Sequence, residues 1–104
     1  MTNTDVTVSQ LIARFQLRRR ASTDAFHTGV RLATWGDVTV MRVTPDLVHG
    51  QVRDPSVLHV QLYVDNGALV GRCPCPAATH SVCRHQVAVA HAVWTDLRRS
   101  HQRD

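Results

Sequence analysis

Cys73-Pro-Cys75-Pro-Ala-Ala-Thr-His80-Ser-Val-Cys83-Arg-His85 is the stretch that decides how this chain folds, because it concentrates the residues that can hold a metal ion. It contains all three cysteines of the protein, and a histidine stands two residues after the last of them. Thiolate and imidazole donors in two close pairs suit a tetrahedral zinc ion. Four protein ligands leave no open position for water, so the pattern predicts one structural zinc ion held by Cys73, Cys75, Cys83 and His85.

The local sequence indicates where these ligands lie. A C-x-C pair does not readily face one ion from inside a helix, so we predict Cys73 and Cys75 at a strand end or turn, stiffened by prolines. Cys83 and His85 fit the first turn of a following helix. His80 lies inside the loop and is a reserve ligand that could replace His85.

Two other interpretations of the cysteines are weaker. A disulfide framework leaves one cysteine over, and the N-terminal residues show no basic region followed by an apolar run, so no signal peptide is predicted. We therefore expect a reducing, cytoplasmic setting, where clustered cysteines more often bind metal. A nucleophilic cysteine with a histidine base is the remaining alternative, but three thiols crowded beside one imidazole favour coordination.

The C-x-C, spacer, C-x-H pattern that opens a helix rich in alanine and valine resembles the SWIM zinc finger. The resemblance covers about residues 25–97 and is specific at the four ligands, which match the family's ligand positions one for one. It implies a strand pair followed by a helix with zinc at their junction. Upstream, the segment Phe26–Val38 and the strands Val48–Val52 and Leu58–Leu62 are similar to what precedes the finger in the family. Gln86 departs from the pattern, since the family often has an aliphatic residue there.

Composition predicts one small α+β domain spanning residues 1–104. The chain is 43% hydrophobic, which suffices for a modest core, and no apolar run approaches the roughly 18 residues that a membrane span needs. We predict an N-terminal helical part at 7–35. Strands and the zinc finger follow at 38–98, with a small antiparallel sheet, a zinc-pinned hairpin and a C-terminal helix.

Periodicity predicts the N-terminal helices. Thr7, three residues ahead of Gln10, has the form of a capping box, and apolar residues at helical spacing follow, which indicates a helix over 6–20. A second helix is predicted over 24–34, where Gly29 allows a neighbouring backbone to approach closely. We expect Trp35 to plug the core rather than to stack on a base.

From residue 38 the apolar period changes to two. Strands are predicted over 38–43, 47–53 and from residue 58 onward, and Asp65-Asn66-Gly67 is a strong hairpin signal because a primed turn requires positive φ at both central residues. The returning strand delivers Cys73 to the metal. His59, Gln61 and Tyr63 align on the polar side of their strand, which suits either a recognition surface or a solvated sheet face. The last helix is predicted from Cys83 to about Arg98.

The charged residues favour a binding function. All twelve basic residues are arginine, all eight acidic ones are aspartate, and the net charge is +4, a balance that permits contact with nucleic acid. Two arginine-rich helix ends could hold phosphates, although arginines there also interact favourably with the helix dipole. The candidate nucleic-acid contacts are Arg14, Arg18, Arg19, Arg20, Arg98 and Arg99.

The sequence lacks a phosphate loop, a Ser-His-Asp order and distinctively paired carboxylates, so we expect no enzyme and no small-molecule substrate. Members of the family that the chain resembles occur in helicase-like ATPases, transposases and recombination accessory proteins, where the finger is thought to bind DNA or proteins. This implies a nucleic-acid partner, DNA before RNA, or alternatively an adaptor that docks on an ATPase, recombinase or polymerase. A zinc enzyme with three protein ligands ranks below both.

Overall fold

The N-terminal helices begin where the capping box predicts. In the computed structural model, which describes residues 6–14, 16–75 and 82–103, the Thr7 hydroxyl accepts the Gln10 N–H while the Gln10 side chain accepts the Thr7 N–H. Helix α1 spans Val8–Ala13 and helix α2 spans Gln16–Arg20. The helix predicted over 6–20 is therefore interrupted, since the capping residue Arg14 leaves helical geometry with ψ near 5°.

Helix α3 spans Thr23–Thr34, and the Ser22 hydroxyl caps it by accepting the Ala25 N–H. Trp35 is its C-cap residue. The prediction that Trp35 plugs the core is wrong, because its side chain is 70% exposed. Gly36 follows with a φ of 85°, so the chain turns toward the sheet and leaves the indole outside, beneath the Arg31 guanidinium at 5.6 Å from the ring centroid.

Four antiparallel strands form one sheet in the order β1-β2-β3-β4. The predicted turn is confirmed, since Asn66 and Gly67 have φ values of 53° and 76°. The strands are β1 (Val38–Val43), β2 (Leu47–Arg53), β3 (Val57–Asp65) and β4 (Ala68–Arg72).

Helix α4, Arg84–Arg103, lies across one side of this sheet and against α3. Gly29 permits the close packing of α3 on α4, because a Cβ there would stand 2.6 Å from the Arg84 carbonyl oxygen and from the Val87 side chain. The buried apolar core forms between the sheet and the helices. Its fully buried members include Val8, Leu11, Val48, Val52, Val60, Leu62, Leu69, Ala88 and Val89.

The two sides of the sheet differ in burial. Along β3, Val60 and Leu62 are fully buried whereas His59 is exposed and Gln61 is half-buried, as the period of two predicts. We call the uncovered side the open face. Its residues, from the strand register, are Thr39, Arg42, Leu47, His49, Gln51, Arg53, Val57, His59, Gln61, Tyr63, Asp65, Ala68, Val70 and Arg72.

A β-bulge in β1 determines which side Arg42 takes. Val40 pairs with Gly50, but Arg42 pairs with His49, so Met41 is an extra residue. If the strand instead ran regularly through Met41, that residue would pair with His49, and Arg42 would follow Val38 and Val40 to the covered side. The small α+β fold with an antiparallel sheet and a C-terminal helix is thus confirmed. None of the helices described is both long and apolar enough to cross a bilayer.

Candidate metal centre

The four predicted ligands converge at the junction of the hairpin with α4. Cys73 directly follows β4, Cys83 directly precedes α4, and His85 lies in that helix's first turn, as the spacing predicts. Cys75 is three residues beyond the strand end. His80, the reserve ligand, lies outside the described residues.

The donor atoms are close enough for one ion. One nitrogen or sulfur from each residue lies within 4.8 Å of all the others, and Cys73 Sγ is 3.5 Å from His85 Nδ1. An ion about 2.3 Å from each sulfur would place the sulfurs roughly 3.8 Å apart. A contraction of about 1 Å or less at the widest pair would therefore complete a tetrahedron.

Backbone amides favour thiolates at this site. The Cys75 N–H donates to the Cys73 sulfur, and the Gln86 N–H in the first turn of α4 donates to the Cys83 sulfur. The positive end of the α4 dipole adds to this effect. Sulfurs that accept such bonds are oriented for coordination before any ion arrives.

Burial opposes ionisation of the same thiols. Loss of hydration raises the pKa of Cys73 to about 12, and burial likewise raises the pKa of Cys83. A divalent cation supplies the missing charge and deprotonates coordinating thiols. The donor set therefore fits a metal ion, plausibly zinc, better than it fits a reactive nucleophile.

Asp54 completes the site from a distant loop, and sequence reasoning missed it. Its Oδ2 lies 2.8 Å from His85 Nε2 and 2.7 Å from Arg84 Nε. With Nε2–H donating to Asp54, Nδ1 faces Cys73 with its lone pair, which is the tautomer that a metal ligand needs. The Arg84 hydrogen bond, helped by His85 and opposed by burial, holds the pKa of Asp54 below its usual 3.8. No local signal marks Asp54, since it precedes His85 by 31 residues.

Gln86, the departure from the family pattern, is 5% exposed. Its side chain occupies the space that Gly71 leaves open, because a Cβ at Gly71 would stand 2.3 Å from Gln86 Oε1. A glycine on β4 thus makes room for this longer side chain from α4.

The structure separates the predicted arginine contacts into groups. Arg18 stacks over Phe26 at 5.2 Å and Arg98 over Trp94 at 4.8 Å, and both rings line one apolar cavity of about 160 Å³. The Arg20 side chain turns away, and its Nη1 donates to the Leu69 carbonyl of β4. The remaining candidates are exposed and are not brought to that cavity: Arg14, Arg19 and Arg99.

Comparison with family models, curated proteins and solved structures found no significant match to this chain. The SWIM resemblance therefore rests on the sequence pattern, above all on the ligand spacing. What the geometry defines is a small α+β protein with a Cys/His cluster positioned to hold a metal ion.

Proposed function

We propose that the chain is a zinc-stabilised, non-enzymatic module of the SWIM type that binds nucleic acid, DNA foremost, mainly through phosphates. The cluster of Cys73, Cys75, Cys83 and His85 supports the first part, because four protein donors close the coordination sphere and assign the ion a structural role. The metal fixes shape, and the binding chemistry belongs to other residues.

The convergence of Arg18 and Arg98 carries the proposal. They come from opposite ends of the chain, yet each guanidinium group lies over an aromatic ring that lines the same cavity. A guanidinium presents a planar fork of N–H donors that matches a phosphate. Stacking also restricts the side chain before binding, which lowers the entropy cost of the contact.

A salt titration tests this proposal. Affinity for a labelled DNA duplex, followed by fluorescence anisotropy, should fall linearly with the logarithm of salt concentration. The double variant R18Q/R98Q should bind more weakly and reduce the slope by about 1.8 if both arginines contact phosphates, at about 0.9 per contact. The matched control R19Q/R99Q removes the same charge away from the cavity and should change less. Absence of salt-dependent binding to duplex and single strands alike would contradict the proposal.

A second candidate, an adaptor docking on an ATPase, recombinase or polymerase, is favoured by the exposed apolar residues beside and along β1. Trp35 is 70% exposed, and Met41 and Val43 are each 51% exposed on this edge strand. Such side chains serve as anchors in protein interfaces. This candidate predicts partner capture that R18Q/R98Q leaves intact and that Trp35→Ala and Met41→Ser together weaken.

A further inference from the structure

We propose that the open face of the sheet binds single-stranded nucleic acid, which lies along a row of side chains formed by Arg42, His49, Gln61 and Arg72. The inference rests on the proposed function and names both the ligand class and a surface that the helix-side arginines do not provide.

The strand register aligns the row across all four strands. Arg42 is paired with His49, His49 with Gln61, and Gln61 with Arg72. Neighbouring strands lie about 4.8 Å apart, so the two terminal Cα positions are separated by roughly 14 Å. Two guanidiniums thus stand at the outer strands while an imidazole and an amide occupy the centre, an arrangement that can hold separated phosphates and the groups between them.

Flat rings flank the row on both sides. His49 Nε2 lies 3.0 Å from His59 Nδ1, with the ring centroids 5.2 Å apart. On the other side, the Arg72 guanidinium lies 5.6 Å from the Tyr63 ring centroid. Imidazole, phenol and guanidinium planes are the groups on which unstacked bases rest. Bases in a duplex are already stacked and paired, so this surface favours single strands.

The charge of the open face is complementary to a phosphate backbone. All strand residues lie within the described part of the chain; three of those on this face are arginines, and the one carboxylate is Asp65 at the far end of β3. The helices lie on the other side, as the burial alternation along β2 and β3 shows. A polyanion can therefore reach the row without displacing any described element of the fold.

The decisive experiment compares two double variants of equal charge. Affinities for a labelled oligothymidine and for a duplex hairpin are measured by anisotropy across a salt series, with circular dichroism to verify folding. R42Q/R72Q should weaken oligothymidine binding at least about tenfold and reduce its salt slope by about 1.4, at about 0.7 per single-strand contact. R19Q/R99Q, which removes the same charge from the helices, should leave oligothymidine affinity within about twofold, well short of a lost contact.

The ring of Tyr63 provides an independent readout. Tyr63→Leu should cost about tenfold in oligothymidine affinity through lost stacking, with the salt slope unchanged because no charge is removed. Tyr63→Phe, which keeps the ring, should bind as the parent protein does.

The possible failures are distinguishable. Oligothymidine binding that survives R42Q/R72Q but is lost in R18Q/R98Q overturns the open-face inference and leaves the proposed function standing. No salt-dependent binding of either probe by the parent protein overturns both.

Discussion

Neighbouring residues of one strand have different roles because they face opposite sides of the sheet. Leu62 is fully buried beneath the helices, while Gln61 and Tyr63, next to it in sequence, face outward. The covered side, together with the metal centre, holds the fold together. The open face can therefore change its chemistry with little effect on stability, and each prediction below tests that division.

The largest effect is expected where the four candidate metal ligands join the sheet to α4. His85→Ala removes one of the four donors, and because structural zinc binding is coupled to folding, the protein should lose its metal and most of its tertiary structure. Zinc stoichiometry and near-ultraviolet circular dichroism measure this. His59→Ala, on the open face, is the control and should leave both unchanged. A folded His85→Ala protein that retains one zinc ion would contradict the assignment and favour a three-ligand site.

A smaller loss is expected inside the core. Leu62→Ala leaves a cavity at a fully buried position and should lower the free energy of unfolding by about 2–5 kcal/mol. Gln61→Ala, one residue away on the open face, should change it by less than about 0.5 kcal/mol. Denaturant titration of both metal-loaded variants compares the two sides directly. Equal losses of unfolding free energy in the two variants would contradict the view that the covered side stabilises the fold and the open face does not.

Asp54 should affect the metal more than the fold. Asp54→Asn keeps the shape but weakens the hydrogen bond from His85 Nε2 and removes the charge that pairs with Arg84, so zinc affinity should fall about 10- to 100-fold. Competition with a chromogenic chelator measures it, and Asp96→Asn, an exposed carboxylate on α4, is the control. An unchanged zinc affinity would show that Asp54 does not contribute to metal binding.

The same carboxylate predicts a pH effect. Its pKa is lowered below 3.8, so the stabilisation it adds is complete above that value and is lost as the pH falls through the lowered pKa. Asp54→Asn should abolish this contribution. The acid-unfolding midpoints of the two zinc-loaded proteins, compared at equal protein and zinc concentrations, measure the difference.

The smallest effect concerns the contact between α3 and α4. Gly29→Ala gains about 1 kcal/mol of helix propensity, but the new Cβ would meet the Arg84 carbonyl oxygen and Val87 at 2.6 Å. Overpacking against backbone costs about 1–3 kcal/mol, so we expect a net loss of up to about 2 kcal/mol once the gain in helix propensity is subtracted. Thermal unfolding measures it, with Thr34→Ala at the exposed end of α3 as a control. A more stable Gly29→Ala protein would show that the helices separate easily.

Features governed by neighbours in sequence could be predicted. The capping box at Thr7, the hairpin at Asn66-Gly67 and the alternation in β3 each depend on a few consecutive residues. The metal ligands could be predicted equally well, because they form two close pairs and a short loop joins them. The sequence also placed Cys73 at a strand end, since only an extended or turning backbone lets C-x-C face one ion.

Features governed by distant contacts could not be predicted. Asp54 contacts His85 from another loop, and the Arg20 side chain donates a hydrogen bond to the Leu69 carbonyl, which is distant in sequence. The prediction that Trp35 plugs the core was wrong because composition cannot reveal which way a chain turns after a helix. The interruption at Arg14 was missed because the apolar spacing continues through it.

The extra residue in β1 carries an evolutionary consequence. Deleting the single codon for Met41 would restore an uninterrupted two-residue repeat, because Arg42 would then follow Val40 directly and stay opposite His49. The bulge thus lets β1 accept a length change of one position while the cation presented to solvent keeps its side of the sheet.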